Sequence, residues 1–322
     1  MRAFITGGTG FIGSHLVDHL IKNGVETRCL VRSSERWLEG KAYTPISGGL
    51  HDIEALKKGL EGVDILFHLA AILKAKTRSE FLHTNVEATE TLLRIAHRMG
   101  VKRIVVLSSL AAAGPSMNRP LTEEDPMQPV SMYGISKKMM EERIEQMDAS
   151  DTAISILRPP AVYGPREEDI YAFFKIASKH ICPIIGDGEM PRLSLIHVLD
   201  VIQGLWLAAQ REEPGLQKYF ISSEQIYTWN QIRWATEQAL GHKTTVIHVS
   251  PNTVKKLASL VEKTVSLWGG YPMFNREKAN EMILEWTCSV EKAKRDLGFR
   301  QKYHLDYGVA HTIAWYQKNN WL

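Results

Sequence analysis

A glycine-rich loop near the start of the chain limits the possible folds more than any other feature of the sequence. The loop reads Thr6-Gly7-Gly8-Thr9-Gly10-Phe11-Ile12-Gly13 and lies between a predicted strand and an amphipathic helical pattern. Gly7 permits a tight turn, Gly10 lets a pyrophosphate approach the backbone, and Gly13 allows close packing of the helix. The free N–H groups around Phe11 and Ile12 and the helix dipole attract an anion. The loop therefore predicts a dinucleotide site on a Rossmann-type unit.

The same loop argues against an ATPase. The spacing from Gly8 to Gly13 resembles the phosphate-binding loop of nucleoside triphosphatases, but Ser14 stands where that loop requires a lysine. We therefore expect a dinucleotide rather than ATP at this position.

Short β-branched runs alternate with helical periods over the first half of the chain, which is typical of βαβ units in a parallel sheet. Six strands are predicted, at residues 3–6, 26–31, 43–47, 65–69, 104–108 and 153–157. We expect an α/β fold with a doubly wound parallel Rossmann sheet, helices on both faces, and a smaller mixed C-terminal lobe. Residues 1–165 would form the dinucleotide-binding domain, with a return strand near residues 217–223. Residues 166–322 would mainly form the substrate-binding lobe.

Charge and cysteine usage exclude several classes of partner. Lys and Arg total 39 against 36 for Asp and Glu, a net charge of +3 without charged blocks, so we expect no nucleic acid partner. Cys29, Cys182 and Cys288 have no short pair spacing, which favours a reduced, cytoplasmic protein. Neither a signal peptide nor an apolar stretch of about 18 residues is visible, so we expect no membrane span. The histidines lack metal-ligand spacing, so we expect no metal site.

The end of the second predicted strand indicates which dinucleotide binds. An NAD site usually places Asp or Glu there to hold the ribose hydroxyls. This chain has Arg32, Ser33 and Ser34 instead, and these groups, helped by Arg36, can bind a 2′-phosphate through charge-assisted hydrogen bonds. NADP(H) is therefore favoured. NAD(H) stays possible, because an arginine does not exclude it.

Tyr133 and Lys137 lie four residues apart at the start of a helical pattern and so share one helix face. A phenol is a weak base at neutral pH, but a nearby ammonium lowers its pKa and makes Tyr133 a usable proton donor or acceptor. Ser109 ends the fifth predicted strand, at the sheet edge where open α/β folds bind ligands. Its hydroxyl can orient a substrate oxygen. We predict that these three residues act on a small-molecule substrate.

With these motifs in this order, the chain resembles an extended short-chain dehydrogenase/reductase of the NAD-dependent epimerase/dehydratase type over essentially its full length. Further matching segments are Phe67-His68-Leu69-Ala70-Ala71, Thr84-Asn85-Val86 and Leu157-Arg158-Pro159-Pro160-Ala161-Val162-Tyr163-Gly164-Pro165. The resemblance implies that Asn85 joins the catalytic group and supports Lys137 through water or backbone contacts. It implies a cofactor lined by Ala70, Ala71, Tyr133, Lys137 and Pro159. Helices near residues 81–99 and 132–147 commonly pair in this family, which implies a possible homodimer.

The resemblance also implies a substrate site formed by Ser109, Ala161 and Arg192. In sugar-nucleotide members of the family, an arginine at the last of these positions grips the diphosphate. Three positions depart from those members: Gly49 replaces an aspartate near the adenine, Ala113 replaces a tyrosine, and Ala161 replaces a substrate-binding asparagine. The last two changes remove polar groups from the pocket, so an apolar substrate like that of steroid or flavonol reductases stays open.

Three functions stay open at this point. The first is an NAD(P)-dependent oxidoreductase or epimerase that moves a hydride between nicotinamide C4 and a carbinol or carbonyl carbon. The second is a nucleotide-sugar epimerase with tightly held NAD, and the third is a non-catalytic dinucleotide-binding assembly or sensor protein. A dehydratase is least favoured, because Ser109 is followed by Leu110 and alanines rather than by an acidic group.

A helical pattern at residues 254–268 carries apolar residues with lysines between them. It predicts a helix that is buried in the ordinary way, with a lid over an apolar substrate or a membrane-surface contact as alternatives. Tyr271, Met273 and Phe274, just beyond it, are candidates for lining the substrate pocket.

Overall fold

The computed structural model of the chain describes residues 1–266 and 275–322. Its strands are β1 (Arg2–Thr6), β2 (Glu26–Val31), β3 (Thr44–Ser47), β4 (Ile65–His68), β5 (Arg103–Leu107), β6 (Ala153–Arg158), β7 (Ala161–Tyr163), β8 (Ile181–Ile185), β9 (Leu195–His197), β10 (Gly215–Phe220) and β11 (Thr245–Val249). Its α-helices are α1 (Phe11–Lys22), α2 (Ile53–Leu60), α3 (Arg78–Phe81), α4 (Ala88–Arg98), α5 (Leu110–Ala113), α6 (Met132–Glu145), α7 (Tyr171–Ala177), α8 (Val198–Ala209), α9 (Trp229–Leu240), α10 (Pro251–Ser266), α11 (Arg276–Met282), α12 (Glu291–Leu297) and α13 (Leu305–Lys318). A 3-10 turn at Arg36–Leu38 follows β2, and a π-helical stretch at Leu82–Glu87 joins α3 to α4.

Seven strands form one sheet in the order β10-β6-β5-β4-β1-β2-β3, and each neighbouring pair is parallel. The strand order runs outward from β1 through β2 to β3, and outward on the other side from β4 to β10. The predicted doubly wound α/β fold is therefore confirmed. The direction of winding reverses between β1 and β4, and sheets of this kind bind ligands beyond the carboxyl ends of the strands at such a point.

The six strands predicted in the first half are all present, with every boundary within one residue of its predicted position. The return strand lies earlier than predicted, at Gly215–Phe220 instead of near residues 217–223. It pairs with β6 from Ala153 to Arg158. The ladder ends there because Pro159 follows and has no backbone N–H to continue it.

Apolar helices cover both faces of the sheet. Ala3 and Ile5 of β1 belong to a buried cluster that includes residues of α1, α8 and α12, whereas Phe4 belongs to a second cluster with α2, α4 and α6. Successive side chains of a strand point to opposite faces, so the two clusters lie on opposite sides of the sheet.

The elements after β6 include two small parallel sheets, β7 with β9 and β8 with β11. A third buried cluster joins α7, α9 and α13 through Phe174, Ile232 and Tyr316. The division into residues 1–165 and 166–322 stays a prediction, because β10 and α8 also belong to the large sheet and its core.

Helix α10 covers residues 254–266 of the helical pattern predicted at residues 254–268. Val254 and Ala258 are buried, whereas Leu257 and Leu260 are 51% and 60% exposed. Ordinary burial therefore accounts for only one face of this helix. The candidates Trp268, Tyr271, Met273 and Phe274 lie outside the described residues.

Cys29, Cys182 and Cys288 are free and buried, as expected for reduced thiols. In the two described ranges, no helix combines the length and the apolar character needed to cross a bilayer. The same residues contain no group of three His, Cys, Asp or Glu side chains arranged to hold a metal ion.

The glycine turn after β1 packs directly against the end of β4. Gly7 has a φ of 78°, and a Cβ on this residue would lie 2.6 Å from the backbone nitrogen of Ala70. A Cβ on Gly13 would lie 2.0 Å from the carbonyl oxygen of Gly7. Neither space admits a methyl group, so the turn and the first turn of α1 come together only with glycine at these positions.

We expect Gly13→Ala to lower the free energy of unfolding by about 1–3 kcal/mol, because the new methyl group must displace backbone atoms. A urea titration followed by circular dichroism measures this change. Gly49→Ala is the matched control, since a Cβ on Gly49 meets no atom within 4 Å. The control should change stability by less than about 0.5 kcal/mol. Equal losses in the two variants would contradict the steric argument.

Candidate functional site

The first turn of α1 is open at the carboxyl edge of the sheet. Gly10 is its N-cap residue, and no side chain in the described part of the protein caps the helix, which leaves the N–H groups of Phe11 and Ile12 facing outward. Ala70 and Ala71, in the loop after β4, are partly exposed. Unpaired N–H groups at a helix start form an anion site, and the close glycine contacts keep side chains out of it. This cradle fits the pyrophosphate of a dinucleotide.

Arg32, directly after β2, has an exposed side chain. It makes no hydrogen bond or ion pair with residues 1–266 or 275–322. The guanidinium of Arg36 is instead paired with Glu168 at 2.8 Å. Ser33 and Ser34 are exposed beside Arg32. Arg32 is thus better placed than Arg36 to meet a ligand phosphate.

Side chains on one face of α6 hold the end of β5. The ammonium of Lys137, only 2% exposed, donates to the carbonyl oxygen of Leu107 at 2.8 Å. Two residues later along the chain, the hydroxyl of Ser109 accepts from the N–H of Ala111 at 3.1 Å and lies close enough to the phenol of Tyr133 to lower its pKa. The fold therefore brings Ser109, Tyr133 and Lys137 together at the sheet edge.

Tyr133 is partly exposed, but partial removal of its phenol from water raises the pKa to about 12, and the nearby hydroxyl of Ser109 offsets only part of this rise. The negative charge of Glu281 raises the pKa further. Tyr133 is therefore protonated at neutral pH. The ammonium of Lys137 donates to the carbonyl of Leu107, and the expectation that it lowers the pKa of Tyr133 stays a prediction.

Burial also acts on Lys137, where it lowers the pKa to about 8. The carboxylate of Glu141 opposes this change and favours the charged form. The amine of Lys137 is therefore mostly protonated at pH 7, although its pKa lies only slightly above this pH.

Glu141 belongs to a buried ion pair that the sequence analysis missed. Its carboxylate accepts from Nε of Arg158 at 3.1 and 3.0 Å and from Nη2 at 2.5 Å. The hydroxyl of Ser108 donates to Oε1 at 2.5 Å. The two charged side chains are 0% and 1% exposed. The available signal was the repeat of four residues that places Tyr133, Lys137 and Glu141 on one face of the helix.

Asn85 is fully buried in the π-helical stretch. Its side-chain oxygen accepts from the N–H of Ile72 at 2.9 Å, and its amide donates to the carbonyl of Ile72 and to the hydroxyl of Ser136, both at 3.0 Å. Ser136 in turn donates to the carbonyl of Tyr133 at 2.7 Å. Asn85 thus joins the loop after β4 to the backbone of α6, and its support of Lys137 stays a prediction.

The loop after β6 lies next to α5. The carbonyl of Pro159, predicted to line the cofactor, accepts from the N–H of Leu110 at 2.8 Å, and Pro159 is itself buried. Ala161 begins β7 and is exposed. The side chain of Ala161, at the predicted substrate position, is thus accessible to a ligand. Pro159, at the predicted cofactor position, is buried.

Arg192 has an internal partner that the sequence did not indicate. Its Nε and Nη2 atoms donate to the two carboxylate oxygens of Glu285 at 3.1 and 3.0 Å. The arginine side chain is 44% exposed, but that of Glu285 is only 7% exposed. The carboxylate of Glu285 therefore already offsets the positive charge of Arg192 that was expected to bind a diphosphate.

Known proteins are similar to this chain over nearly its whole length. The family model described as "NAD dependent epimerase/dehydratase family" matches residues 3–222. A protein named ceramide reductase from Caulobacter vibrioides is 30% identical, and the match covers 99% of this chain and 95% of that protein. A protein from Stigmatella aurantiaca named 4-hydroxy-2-methyl-3-oxo-4-farnesyl-3,4-dihydroquinoline-1-oxide ketoreductase is 31% identical, over 96% of this chain and 95% of that protein.

Solved structures share the fold. MoeE5 in complex with UDP-glucose and NAD has a TM-score of 0.80 and 25% identity, covering 99% of this chain and 100% of that one. DesIV, a dTDP-glucose 4,6-dehydratase from Streptomyces venezuelae with NAD and TYD bound, has a TM-score of 0.79 and 25% identity, covering 100% of this chain and 98% of that one.

We expect Asn85→Ala to lower the free energy of unfolding by about 1–3 kcal/mol, because it leaves both backbone groups of Ile72 without their side-chain partner. A urea titration measures the loss. Asn252→Ala, at an exposed position in the first turn of α10, is the control and should have little effect. If the two variants lose the same stability, the link through Asn85 is not structural.

Proposed function

We infer that this chain, which belongs to the NAD dependent epimerase/dehydratase family and is an NAD(P)-dependent enzyme, moves a hydride. The hydride passes between the nicotinamide and a carbonyl or carbinol carbon. The observation that carries this proposal is the meeting of Ser109, Tyr133 and Lys137 at the carboxyl end of β5. Membership of an enzyme family sets aside the non-catalytic sensor or assembly protein considered from the sequence.

Each of the three side chains has a distinct role in this proposal. Tyr133 exchanges a proton with the substrate oxygen, and Ser109 hydrogen-bonds and orients the same oxygen. The charge of Lys137, one helical turn away, stabilises the phenolate that Tyr133 becomes after it donates. A nicotinamide bound in front of them supplies or accepts the hydride at C4.

We propose a reductase that protonates the oxygen of a ketone. A reduction consumes the protonated phenol of Tyr133, whereas an oxidation needs the phenolate to accept the proton of the alcohol. The phenol is protonated at neutral pH, and the similar proteins named ceramide reductase and ketoreductase support the same direction.

We propose an apolar ketone as the substrate class, bound mainly by residues 166–322. Ala113 and Ala161 offer methyl groups where sugar-nucleotide enzymes carry polar side chains, and Arg192 is held by Glu285. Relatives named ceramide reductase, farnesyl-dihydroquinoline-oxide ketoreductase and sterol-4-alpha-carboxylate 3-dehydrogenase support the same class. The carboxylate of Glu285 already occupies Nε and Nη2 of Arg192 and offsets its charge, which weakens the attraction of this arginine for a diphosphate.

The second candidate is a nucleotide-sugar epimerase with tightly held NAD. The similar solved structures that contain UDP-glucose or TYD favour it. In this alternative, the donors of Arg192 that Glu285 does not occupy would bind the diphosphate.

The test of the proposed activity is a reduction assay with ketones that carry alkyl, isoprenoid or sterol groups, followed by the absorbance of the reduced nicotinamide. We expect turnover of at least one such ketone, and we expect Tyr133→Phe to lower kcat by about 10²–10⁴-fold, because the proton donor is lost. Tyr307→Phe, at a position that is 60% exposed, is the matched control and should keep full activity.

Two outcomes of this assay would contradict the proposal. Full activity of Tyr133→Phe would exclude the phenol as the proton donor. Epimerisation of UDP-glucose without reduction of any ketone would favour the second candidate.

We also propose that NADP(H) is the preferred cofactor. Arg32 is exposed after β2, without an ion-pair partner in the described ranges, and the three residues that directly follow this strand, Arg32, Ser33 and Ser34, are not carboxylates. A guanidinium at this position recognises a 2′-phosphate through charge-assisted hydrogen bonds.

We expect Arg32→Ala to weaken NADPH binding by about 10–100-fold, because a hydrogen bond to a charged group contributes about 1.5–3 kcal/mol, and to leave NADH binding unchanged. Calorimetric titration with both cofactors measures the change. Arg98→Ala, at an exposed arginine that ends α4, is the control. Preferential NADH binding that Arg32→Ala does not alter would contradict the NADP(H) assignment.

The homodimer stays a prediction. Helices α4 and α6 lie side by side, tied by an ion pair between Arg143 and Glu90 at 3.3 Å. This places the two helices that commonly pair in the family next to each other.

A further inference from the structure

Glu141 is a fully buried carboxylate that would touch neither substrate nor cofactor in the proposed mechanism. It lies one helical turn after Lys137 on the inner face of α6. Arg158 from β6 and Ser108 at the end of β5 direct three N–H or O–H groups at it. Donors of this kind stabilise the ionised carboxylate, so Glu141 carries a negative charge in the protein interior.

The charged groups around Glu141 come from several elements. Lys218 of β10 approaches its Oε2 atom at 3.8 Å and also pairs with Glu145 on the surface. Arg158 forms the close pair, and its guanidinium lies over the ring of Phe220 at 5.5 Å. The Glu141–Arg158 ion pair is therefore held in place by contacts with Ser108, Lys218 and Phe220.

The groups that face Lys137 include few other charges. From β4, His68 is buried, and burial lowers its pKa to about 3, so it is neutral. From β5, the carbonyl oxygen of Leu107 accepts from the ammonium. On α6 itself, Tyr133 is a protonated phenol and Glu141 carries the negative charge that favours the ammonium.

We propose that Glu141 is a positioning residue for the reaction, whose buried negative charge, fixed by Arg158 and Ser108, keeps Lys137 in the charged form that the phenolate of Tyr133 requires. The inference rests on the proposed role of Lys137. It explains why a complete ion pair is buried directly behind the catalytic helix face. Without Glu141, burial alone would act on the ammonium and favour its neutral form.

The test measures the ionisation of Lys137 directly, in the full-length protein and without substrate. The ε-carbon signals of isotope-labelled lysines are followed by NMR as a function of pH, and the signal that disappears in Lys137→Arg is assigned to Lys137. We expect a pKa of about 8 in the wild type. We expect Glu141→Gln to lower this pKa by about one unit, because an opposite charge is removed.

Glu142→Gln is the matched control, since Glu142 is the next residue of the same helix and its side chain is 44% exposed. It should leave the pKa of Lys137 unchanged. An unchanged pKa in Glu141→Gln, or an equal shift in both variants, would overturn the inference. Neither result depends on turnover, so a failure of the proposed function is distinguishable from a failure of this proposal.

Removal of Glu141 alone leaves Arg158 buried without its partner, which can prevent folding. The double variant Glu141→Gln/Arg158→Met removes both charges and avoids that penalty. We expect it to lower the pKa of Lys137 by less than Glu141→Gln does, because the repulsion from Arg158 is removed as well, and an unchanged pKa would overturn the inference.

The activity of a ketone reductase gives a second readout. The ammonium is lost as the pH rises through its pKa, so a lower pKa means that activity falls at lower pH. In a plot of kcat against pH, the decrease at high pH should therefore move to lower pH in Glu141→Gln. The size of this shift should equal the change in the pKa of Lys137 measured by NMR. A purely structural role would lower kcat at every pH and leave the position of this decrease unchanged.

Discussion

The close approach of α6 to the end of β5 is the constraint on which the rest of the site depends. Gly134 lies in the first turn of α6, and a Cβ on this residue would lie 2.4 Å from the carbonyl oxygen of Ala111 in α5. Any other residue would push the helix outward. Because Tyr133 and Lys137 both reach the end of the strand from this helix, an outward shift would separate them from Ser109 and from the strand backbone. The glycine is thus as necessary to the site as the groups that react.

Burial, rather than mutual attraction, sets the ionisation of the groups that this approach brings together. It favours the neutral phenol of Tyr133 and weakens the charge of Lys137. The ion pair of Glu141 with Arg158 is itself costly to remove from water, so stability alone does not explain its presence. The proposed requirement for a charged ammonium in the neighbouring turn would explain it. The buried pair and the catalytic pair then form one electrostatic unit on one helix.

Local patterns were sufficient to predict the parts of the molecule that depend on neighbours in the chain. The strand boundaries, the glycine loop and the placement of Ser109 at a strand end follow from periodicity and from the geometry of parallel sheets. Contacts between distant residues did not follow. Arg192 and Glu285 are 93 residues apart, and Asn85 and Ser136 are 51 residues apart. Periodicity shows which face of an element is buried, but it does not show which side chain of another element meets that face.

The same limit explains why proteins of one fold act on different substrates. In the proposed function, the sheet fixes the cofactor cradle and the position of the reacting oxygen, whereas the rest of a substrate would meet side chains such as Ala161 and Arg192. A guanidinium without an ion-pair partner would attract a diphosphate strongly. The ion pair with Glu285 offsets the charge of Arg192 and so lowers this attraction, while it leaves the binding of an apolar chain unaffected. By this argument, one ion pair between distant segments shifts the preference between two substrate classes that the shared fold alone does not separate.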